Sequence, residues 1–258
     1  MQWGRFVTAS RILVYDIENS ASVVSTWTLH QPNISINQII EPHRVLCVGS
    51  KWIGERKITV NAEWHDGGHQ GMVQAVHALL DEADAVVTYN GRSHDRKHMN
   101  AEFLKAGLGP PSPAIEIDLL TCARRFAFPP RKLDYISQAL GIGKKVPHSG
   151  MQLWNDIERG DEVTKPKAQR KMESYVRGDV RLTEDLYYQL LPWLTTHLNV
   201  GVWDEDERPT CNRCGSDDIE SRGFAQTNSF RYRRFMCRSC KGWLRGKRCE
   251  STTELRLM

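Results

Sequence analysis

Two carboxylates, Asp16 and Glu18, close an otherwise apolar stretch of the chain at residues 11–18. Its apolar residues are almost continuous and several are β-branched, which predicts a buried central strand. Because side chains alternate along a strand, both carboxylates leave on the same face. Two like charges at the end of a core strand are costly unless a cation lies between them or one of them turns to water. The pair alone is therefore compatible with a metal site and with a solvated strand end.

Two later stretches could bring further polar groups to the same place. Asp95 follows a strand predicted at residues 85–89 and begins a helix, where helix capping alone could explain an acid. Tyr175 and Asp179 are four residues apart, on one face of a helix predicted at residues 169–191. Taken singly, Tyr175 could be a core residue and Asp179 a partner of a neighbouring arginine. The whole set in this order is harder to explain by such separate roles.

In this order the residues resemble the motifs of the DEDD-type 3'-to-5' exonucleases of the ribonuclease H-like superfamily, over about residues 11–194. The matching residues are Asp16 and Glu18 in the first motif, Asp95 in the second, and Tyr175 with Asp179 in the third, in its tyrosine variant. The runs IEPHRVLC at 40–47 and LDYISQ at 133–138 are similar to phage-encoded exonucleases of this group.

The resemblance implies an α/β fold, with a ribonuclease H-like mixed sheet flanked by helices. It implies a metal-dependent 3'-to-5' exonuclease that hydrolyses phosphodiester bonds of DNA, or of RNA, with two Mg²⁺ or Mn²⁺ about 4 Å apart. Asp16 would bridge both ions, and Glu18 and Asp179 would complete one site. Asp95 would complete the other, partly through water, and Tyr175 would orient the attacking water.

The surroundings of Asp95 depart from that pattern. The family usually has an aromatic residue before this Asp and apolar residues after it, whereas His94 precedes it here and a basic run follows at 96–98. A basic helix start can contact phosphate, although a solvated helix face is the alternative. A basic loop at 144–148 could similarly line a groove for nucleic acid or be solvated. The candidate nucleic-acid-binding residues of this part are Asn90, Arg96, Lys144, Lys145 and His148.

Four cysteines near the C-terminus form two C-x-x-C knuckles separated by 22 residues. This spacing is typical of a tetrahedral structural zinc site, and disulfides are disfavoured in the cytosol. The predicted ligands of one Zn²⁺ are Cys211, Cys214, Cys237 and Cys240. A segment of this size builds little core, so zinc should supply most of its folding free energy. The remaining Cys249 is expected to be free.

The tail is also basic, with 12 Lys and Arg against 5 Asp and Glu from residue 208 to residue 258, in a chain of net charge +4. Arginines and aromatic residues alternate at 230–235, which favours a nucleic-acid surface on a zinc ribbon. The candidate contacts are Arg231, Arg233 and Arg234. The alternative is that the aromatic residues pack the ribbon and the arginines only keep it solvated.

With 258 residues, the chain is long enough for one sizeable domain and a smaller one. We expect an exonuclease domain at 1–198, a linker at 199–209 with an acidic cluster, and a zinc ribbon at 210–258. No run of about 18 apolar residues predicts a membrane span, and the N-terminus does not resemble a signal peptide, so we expect a cytoplasmic protein, in host cytoplasm if phage-encoded.

The expected partners are single-stranded or frayed DNA, RNA as an alternative, and replication or repair proteins, with no membrane. Two other functions stay open at this point. One is a catalytically weak nucleic-acid-binding or replication-accessory protein. The other is an endonuclease or transposase-like enzyme on the same fold.

Overall fold

The structure of the protein is a computed structural model that describes residues 10–203 and 209–254. The acidic cluster of the expected linker, at residues 204–207, lies outside the described residues. Residues Ile12–Leu186 form one compact unit. The described part of the second unit consists of residues 10–11, 187–203 and 209–254.

A five-stranded mixed sheet forms the centre of the first unit. Its strands and those of a small excursion, numbered along the chain, are β1 (Ile12–Asn19), β2 (Val23–Val24), β3 (Ile39–Glu41), β4 (Val45–Trp52), β5 (Thr59–Ala62), β6 (Ala85–Thr88) and β7 (Ile115–Asp118). The sheet order is β5-β4-β1-β6-β7, and β2 pairs with β3 as a separate ribbon. β1 is antiparallel to β4 and parallel to β6, so the predicted mixed sheet is confirmed.

Within the described residues, six α-helices accompany the sheet. They are α1 (Gly68–Glu82), α2 (Asp95–Lys105), α3 (Leu119–Ala123), α4 (Leu133–Ala139), α5 (Met151–Arg159) and α6 (Thr164–Leu190). The last four residues of α6 belong to the second compact unit. Among the described residues, none of the helices is both long and apolar enough to span a bilayer.

Because side chains alternate along β1, its two faces are directed towards different helices. Leu13, Tyr15 and Ile17 are buried in one cluster with residues of α1 and α2. Residues of α5 and α6 pack in a second cluster with Leu46 of β4 and Val60 of β5. The sheet is therefore covered on both faces, and Asp16 and Glu18 project opposite to Leu13, Tyr15 and Ile17. The predicted arrangement of a sheet flanked by helices is confirmed.

The structure differs from the sequence prediction just before the last helix. The segment after the basic loop contains α5, which the sequence analysis did not predict, and α6 begins five residues earlier than expected. The carboxylate of Asp161 accepts hydrogen bonds from the backbone N–H groups of Val163 and Thr164, at 3.1 and 2.7 Å. It thereby satisfies donors that a helix start leaves free, and Pro166 in the first turn has no N–H to satisfy.

The second unit contains a three-stranded antiparallel sheet in the order β10-β9-β8. These strands are β8 (Ile219–Gln226), β9 (Phe230–Cys237) and β10 (Trp243–Thr252). Single 3-10 turns at Leu191–Trp193 and Val200–Trp203 precede it. Most side chains on both faces of this sheet are exposed, so it has little apolar core of its own.

Candidate active site

Asp16, Glu18 and Asp179 meet where β1 passes α6. One carboxylate oxygen from each lies within 4.8 Å of those of the other two. Asp16 and Glu18 come from the strand and are partly buried, whereas Asp179 comes from the helix and is fully buried. The structure thus brings together three acids that are up to 163 positions apart in the sequence.

Asp95 lies beside this group rather than within it. Its Oδ1 accepts a hydrogen bond of 3.2 Å from the backbone N–H of Ile17, the residue between Asp16 and Glu18. This carboxyl group is buried at the first position of α2. Burial raises its pKa to about 6, although the hydrogen bonds from the backbone of Asp95 itself and of Ile17 oppose the rise.

Burial and crowding raise the pKa values of these acids. Burial, followed by the charges of Asp95 and Asp179, raises the pKa of Asp16 well above its usual range. Burial and then Asp179 raise the pKa of Glu18 to about 8. The pKa of Asp179 is also raised by burial, against the opposing effect of Lys145. Without a bound cation, the site therefore favours protonated carboxyl groups.

The donor set fits divalent cations. Oxygen atoms of three carboxylates converge, and carboxylates are the ligands that Mg²⁺ and Mn²⁺ prefer. Moreover, Oδ1 of Asp179 is buried and has no hydrogen-bond partner among the described residues, which is costly unless a ligand satisfies it. Asp16, Glu18 and Asp179 could therefore hold a metal ion, with Asp95 available beside them.

Lys145 supplies a positive charge at this site. Its Nζ donates hydrogen bonds to Oδ2 of Asp179 at 2.5 Å and to the hydroxyl of Tyr175 at 3.1 Å. The charge of Asp179 raises the pKa of Lys145 despite its partial burial, which keeps the ammonium protonated. The sequence analysis named this lysine as a candidate for a nucleic-acid groove, with a solvated loop as the alternative, and the structure places it among the acids.

The hydroxyl of Tyr175 stands one helical turn before Asp179 on α6. Its ring is buried, with the ring of His148 at 4.8 Å and that of Trp154 at 6.5 Å between centroids. Burial raises the pKa of the phenol to about 12. The group is therefore protonated at neutral pH and can donate a hydrogen bond, but it is a poor base.

A glycine allows α6 to come this close to the sheet. Gly49 of β4 is paired with Asp16 of β1. A Cβ atom at Gly49 would lie 2.9 Å from Cγ2 of Val180 and 3.0 Å from Cγ2 of Val176, closer than carbon atoms pack. These two valines flank Asp179 on the helix. The distance between Asp16 and Asp179 thus depends on the missing side chain.

The other residues of this unit that were predicted to bind nucleic acid differ in their surroundings. The ring of His148 lies against Tyr175, so it joins the site, and Lys144 is exposed. Arg96 pairs with Glu116, at 2.6 Å between Nη1 and Oε1. Asn90 lies in the left-handed region with φ of 69°, and its backbone N–H donates to Asp118.

Sequence reasoning missed two neighbours of the site. Trp154 of α5 packs near Tyr175, and its Nε1 donates a hydrogen bond of 2.9 Å to the backbone carbonyl of Asn19, at the end of β1. The side chain of Asn19 in turn lies 3.4 Å from Nε2 of His94. The spacing of Leu153, Trp154 and Ile157 is helical and could have revealed α5.

The four tail cysteines are brought together as predicted. Cys211 and Cys240 are 3.6 Å apart between sulphur atoms, as are Cys214 and Cys237, and all four are buried. Tetrahedral zinc with bonds of about 2.3 Å to sulphur requires about 3.8 Å between sulphur atoms. The cluster therefore fits a zinc ion, whereas Cys249 is exposed and free as expected.

Comparison with known proteins gives one family model that matches the sequence and a solved structure of similar fold. A family model described as the RNase_H superfamily matches residues 40–191. No curated protein matches the chain. Among solved structures, the chain resembles the family B DNA polymerase from the hyperthermophilic archaeon Pyrobaculum calidifontis, with a TM-score of 0.50 and 20% identity. The match covers 71% of this chain and 25% of the polymerase, and at this identity the likeness is one of fold.

Proposed function

Because this chain belongs to the RNase_H superfamily, we propose that it is a metal-dependent 3'-to-5' exonuclease that hydrolyses phosphodiester bonds of DNA or RNA. The family and fold support a nuclease in general. The observation that carries the finer proposal is the convergence of Asp16, Glu18 and Asp179, with a protonated phenol beside them. β1, which carries the first two acids, precedes the matched segment and pairs with β4 and β6 within it.

Each residue has a task in the proposed reaction. Asp16, Glu18 and Asp179 would hold one divalent ion. Asp16 and Asp95 would hold a second ion, Asp95 partly through water. When bound, two such ions would lower the pKa of the attacking water and neutralise charge on the leaving oxygen. Tyr175 would donate a hydrogen bond that orients the water, since its phenol stays protonated at neutral pH. Lys145 and His148 would lie along the path of the substrate's phosphates.

We propose that residues 1–198 perform the cleavage and that residues 210–258, joined by a linker at 199–209, form a zinc ribbon that binds nucleic acid. Single-stranded or frayed DNA is the proposed substrate, with RNA as the alternative. Replication or repair proteins are the proposed protein partners. The cluster of four cysteines and the arginines of β9 support the role of the ribbon.

The test is cleavage of a single-stranded oligonucleotide labelled at its 5' end, with Mg²⁺ or Mn²⁺. We expect a ladder that shortens from the 3' end, and its loss in Asp16→Ala. Glu162→Gln is the matched control, because Glu162 is an exposed acid that does not belong to the group of converging carboxylates. It should cleave like the parent.

Other outcomes would contradict the proposal. Binding without cleavage under both metals would favour the catalytically weak nucleic-acid-binding protein. Internal cuts in a circular single strand would favour an endonuclease or a transposase-like enzyme. Cleavage that persists in Asp16→Ala would show that another site, or a contaminating nuclease, is responsible.

A further inference from the structure

The sheet of the second unit presents arginine and aromatic side chains on both of its faces. Because side chains alternate along β9, Arg231 and Arg233 project from one face and Arg234 from the other. The three arginines that the sequence predicted as one surface therefore belong to two. The cross-strand register places Arg245 and Trp243 of β10 on the face of Arg234.

On that second face, two arginines oppose each other directly. Arg234 and Arg245 are register partners across β9 and β10. Like charges directly opposite each other on a sheet repel, which destabilises the pair. Both side chains are exposed, and no carboxylate within the described residues forms a salt bridge of 4.0 Å or less with either of them. An anion between the two guanidinium groups would relieve the repulsion.

Each of these arginines also rests on an aromatic ring. The guanidinium of Arg234 lies 5.0 Å from the ring centroid of Trp243, and that of Arg245 lies 4.4 Å from the ring centroid of Tyr232. Trp243 is nevertheless 51% exposed. The rings hold the guanidinium planes in place, and Nε of Arg234 donates a hydrogen bond of 3.0 Å to the backbone carbonyl of Arg222. The Nη groups of the two arginines are therefore the donors that a ligand on this face would meet. This face therefore combines flat stacking surfaces with two fixed positive charges.

The opposite face is a weaker candidate. Arg231 and Arg233 share a single ring, that of Phe224, at 4.5 and 5.1 Å. Arg233 is also near a carboxylate, with 3.7 Å between its Nε and Oε1 of Glu250. Its positive charge is thus partly neutralised within the protein.

We propose that the face formed by Tyr232, Arg234, Trp243 and Arg245 binds single-stranded nucleic acid. A phosphate lies between the guanidinium groups of Arg234 and Arg245, and adjacent bases stack on the exposed part of Trp243 or on the guanidinium planes that cover Trp243 and Tyr232. This assignment rests on the proposed role of the ribbon in nucleic-acid binding and names the face, its residues and the form of the ligand.

The chemistry favours a single strand over other polyanions. Bases in a duplex are stacked on one another, so exposed aromatic rings can reach them only in unpaired strands. An acidic protein segment would satisfy the charges but would leave the stacking surfaces unused. Both alternatives are distinguishable by experiment.

The test is binding of a fluorescent single-stranded oligonucleotide to the full chain in the Asp16→Ala background, so that cleavage does not affect the measurement. We expect Arg234→Ala with Arg245→Ala to raise Kd about tenfold or more. The slope of log K against log salt should fall in magnitude by about 0.7, because one phosphate loses its neutralising partners. The matched control on the other face, Arg231→Ala with Arg233→Ala, removes the same charge and should change Kd much less.

Two further measurements keep the result interpretable. Zinc content should equal that of the parent in every variant, which shows that the ribbon is folded. Arg234→Lys with Arg245→Lys, which keeps the charge but not the planar groups, should bind with intermediate affinity. Equal losses in the two double-alanine variants, or duplex and acidic peptide competing as well as a single strand, would overturn the assignment. Failure of the cleavage assay alone would leave this binding result unchanged.

Discussion

The hydroxyl of Tyr175 can be tested separately from its ring. Tyr175→Phe keeps the contacts with His148 and Trp154 and removes only the hydrogen-bonding group. If the phenol orients the attacking water, kcat should fall about 10²-fold, since misplaced reactants cost rates of this order. KM should change little, because the hydroxyl acts on the water and not on substrate binding. Steady-state kinetics on a labelled oligonucleotide would measure both constants, and an unchanged kcat would exclude this role.

The raised pKa of Glu18 predicts a dependence of stability on pH. In the metal-free protein this pKa is about 8, against about 4.5 for an unperturbed glutamate. The folded state therefore binds the proton more tightly than the unfolded chain, so this contribution to stability is fully present below about pH 4.5 and is lost as pH rises through about 8. The side chain of Glu18→Gln cannot ionise, so this fall in stability should be absent from the variant. We expect its Tm to exceed that of the parent by at least about 2 °C at pH 8, with the difference shrinking towards pH 4.5.

Manganese provides the control for this experiment. Because the cation stabilises ionised carboxylates, Mn²⁺ should raise the Tm of the parent at pH 8 more than that of Glu18→Gln. Scanning calorimetry or fluorescence at several pH values would show this, with zinc content checked after the removal of other metals. A Tm difference that is constant with pH would contradict the raised pKa.

At the scale of residues, the sequence predicted which groups could do chemistry but not how their charges are balanced. Motif order singled out Asp16, Glu18 and Asp179 because separate roles, although possible for each acid, explain the whole ordered set poorly. The pairing of Lys145 with Asp179 depends on the path of a loop 34 residues earlier, which local patterns do not encode. Arg96 was a candidate phosphate contact with a solvated helix face as the alternative, and its ion pair with Glu116 depends on tertiary contacts of the same kind.

At the scale of elements, Gly49 sets the approach of α6 to β4. Gly49→Ala would bring a methyl group within 3.0 Å of Val176 and Val180 and displace the helix that carries Asp179. We expect overpacking to cost about 1–3 kcal/mol of stability and the shift to lower kcat about tenfold. Thermal unfolding and the cleavage assay would measure both effects.

Two variants test whether the effect of Gly49→Ala is steric. Gly109→Ala is the matched control, because a Cβ at Gly109 would meet no atom within 4 Å, and it should behave like the parent. Combining Gly49→Ala with Val180→Ala makes room for the added methyl group, so the two changes should be less than additive. Full additivity would show that the helix does not press on this position.

The strands and most helices were predictable because their hydrophobic patterns are strong. β1 and β6 are short apolar runs bounded by polar residues, and α1 has buried residues at helical spacing. In contrast, α5 has only two buried residues, Leu153 and Ile157. Few of its positions therefore show the apolar spacing of a helix. Its existence depends on packing against β4 and β5, which the sequence of the segment alone does not show.

At the scale of the whole molecule, two kinds of metal site should serve two parts of the chain. Cys214→Ser should abolish binding of one zinc ion per chain and unfold the small sheet, which has little apolar core. The unit of residues Ile12–Leu186 has its own core and should keep its Tm within about 2–4 °C. Metal analysis and thermal unfolding would test this. Cys249→Ser, at the exposed free cysteine, should keep its zinc, and zinc retained in Cys214→Ser would contradict the assignment.

The ammonium group of Lys145 bears on how a newly made chain matures. It gives the carboxylates an internal counter-charge, so the unit that contains them can fold before it acquires any divalent ion. For the four cysteines, we expect zinc to supply most of the folding free energy, so their sheet should fold only when zinc binds. We therefore expect the two units to mature by independent routes: the nuclease unit folds without divalent ions and acquires them reversibly, whereas the ribbon folds only when zinc binds. A cell short of zinc would then accumulate chains with a folded catalytic unit and an unfolded tail.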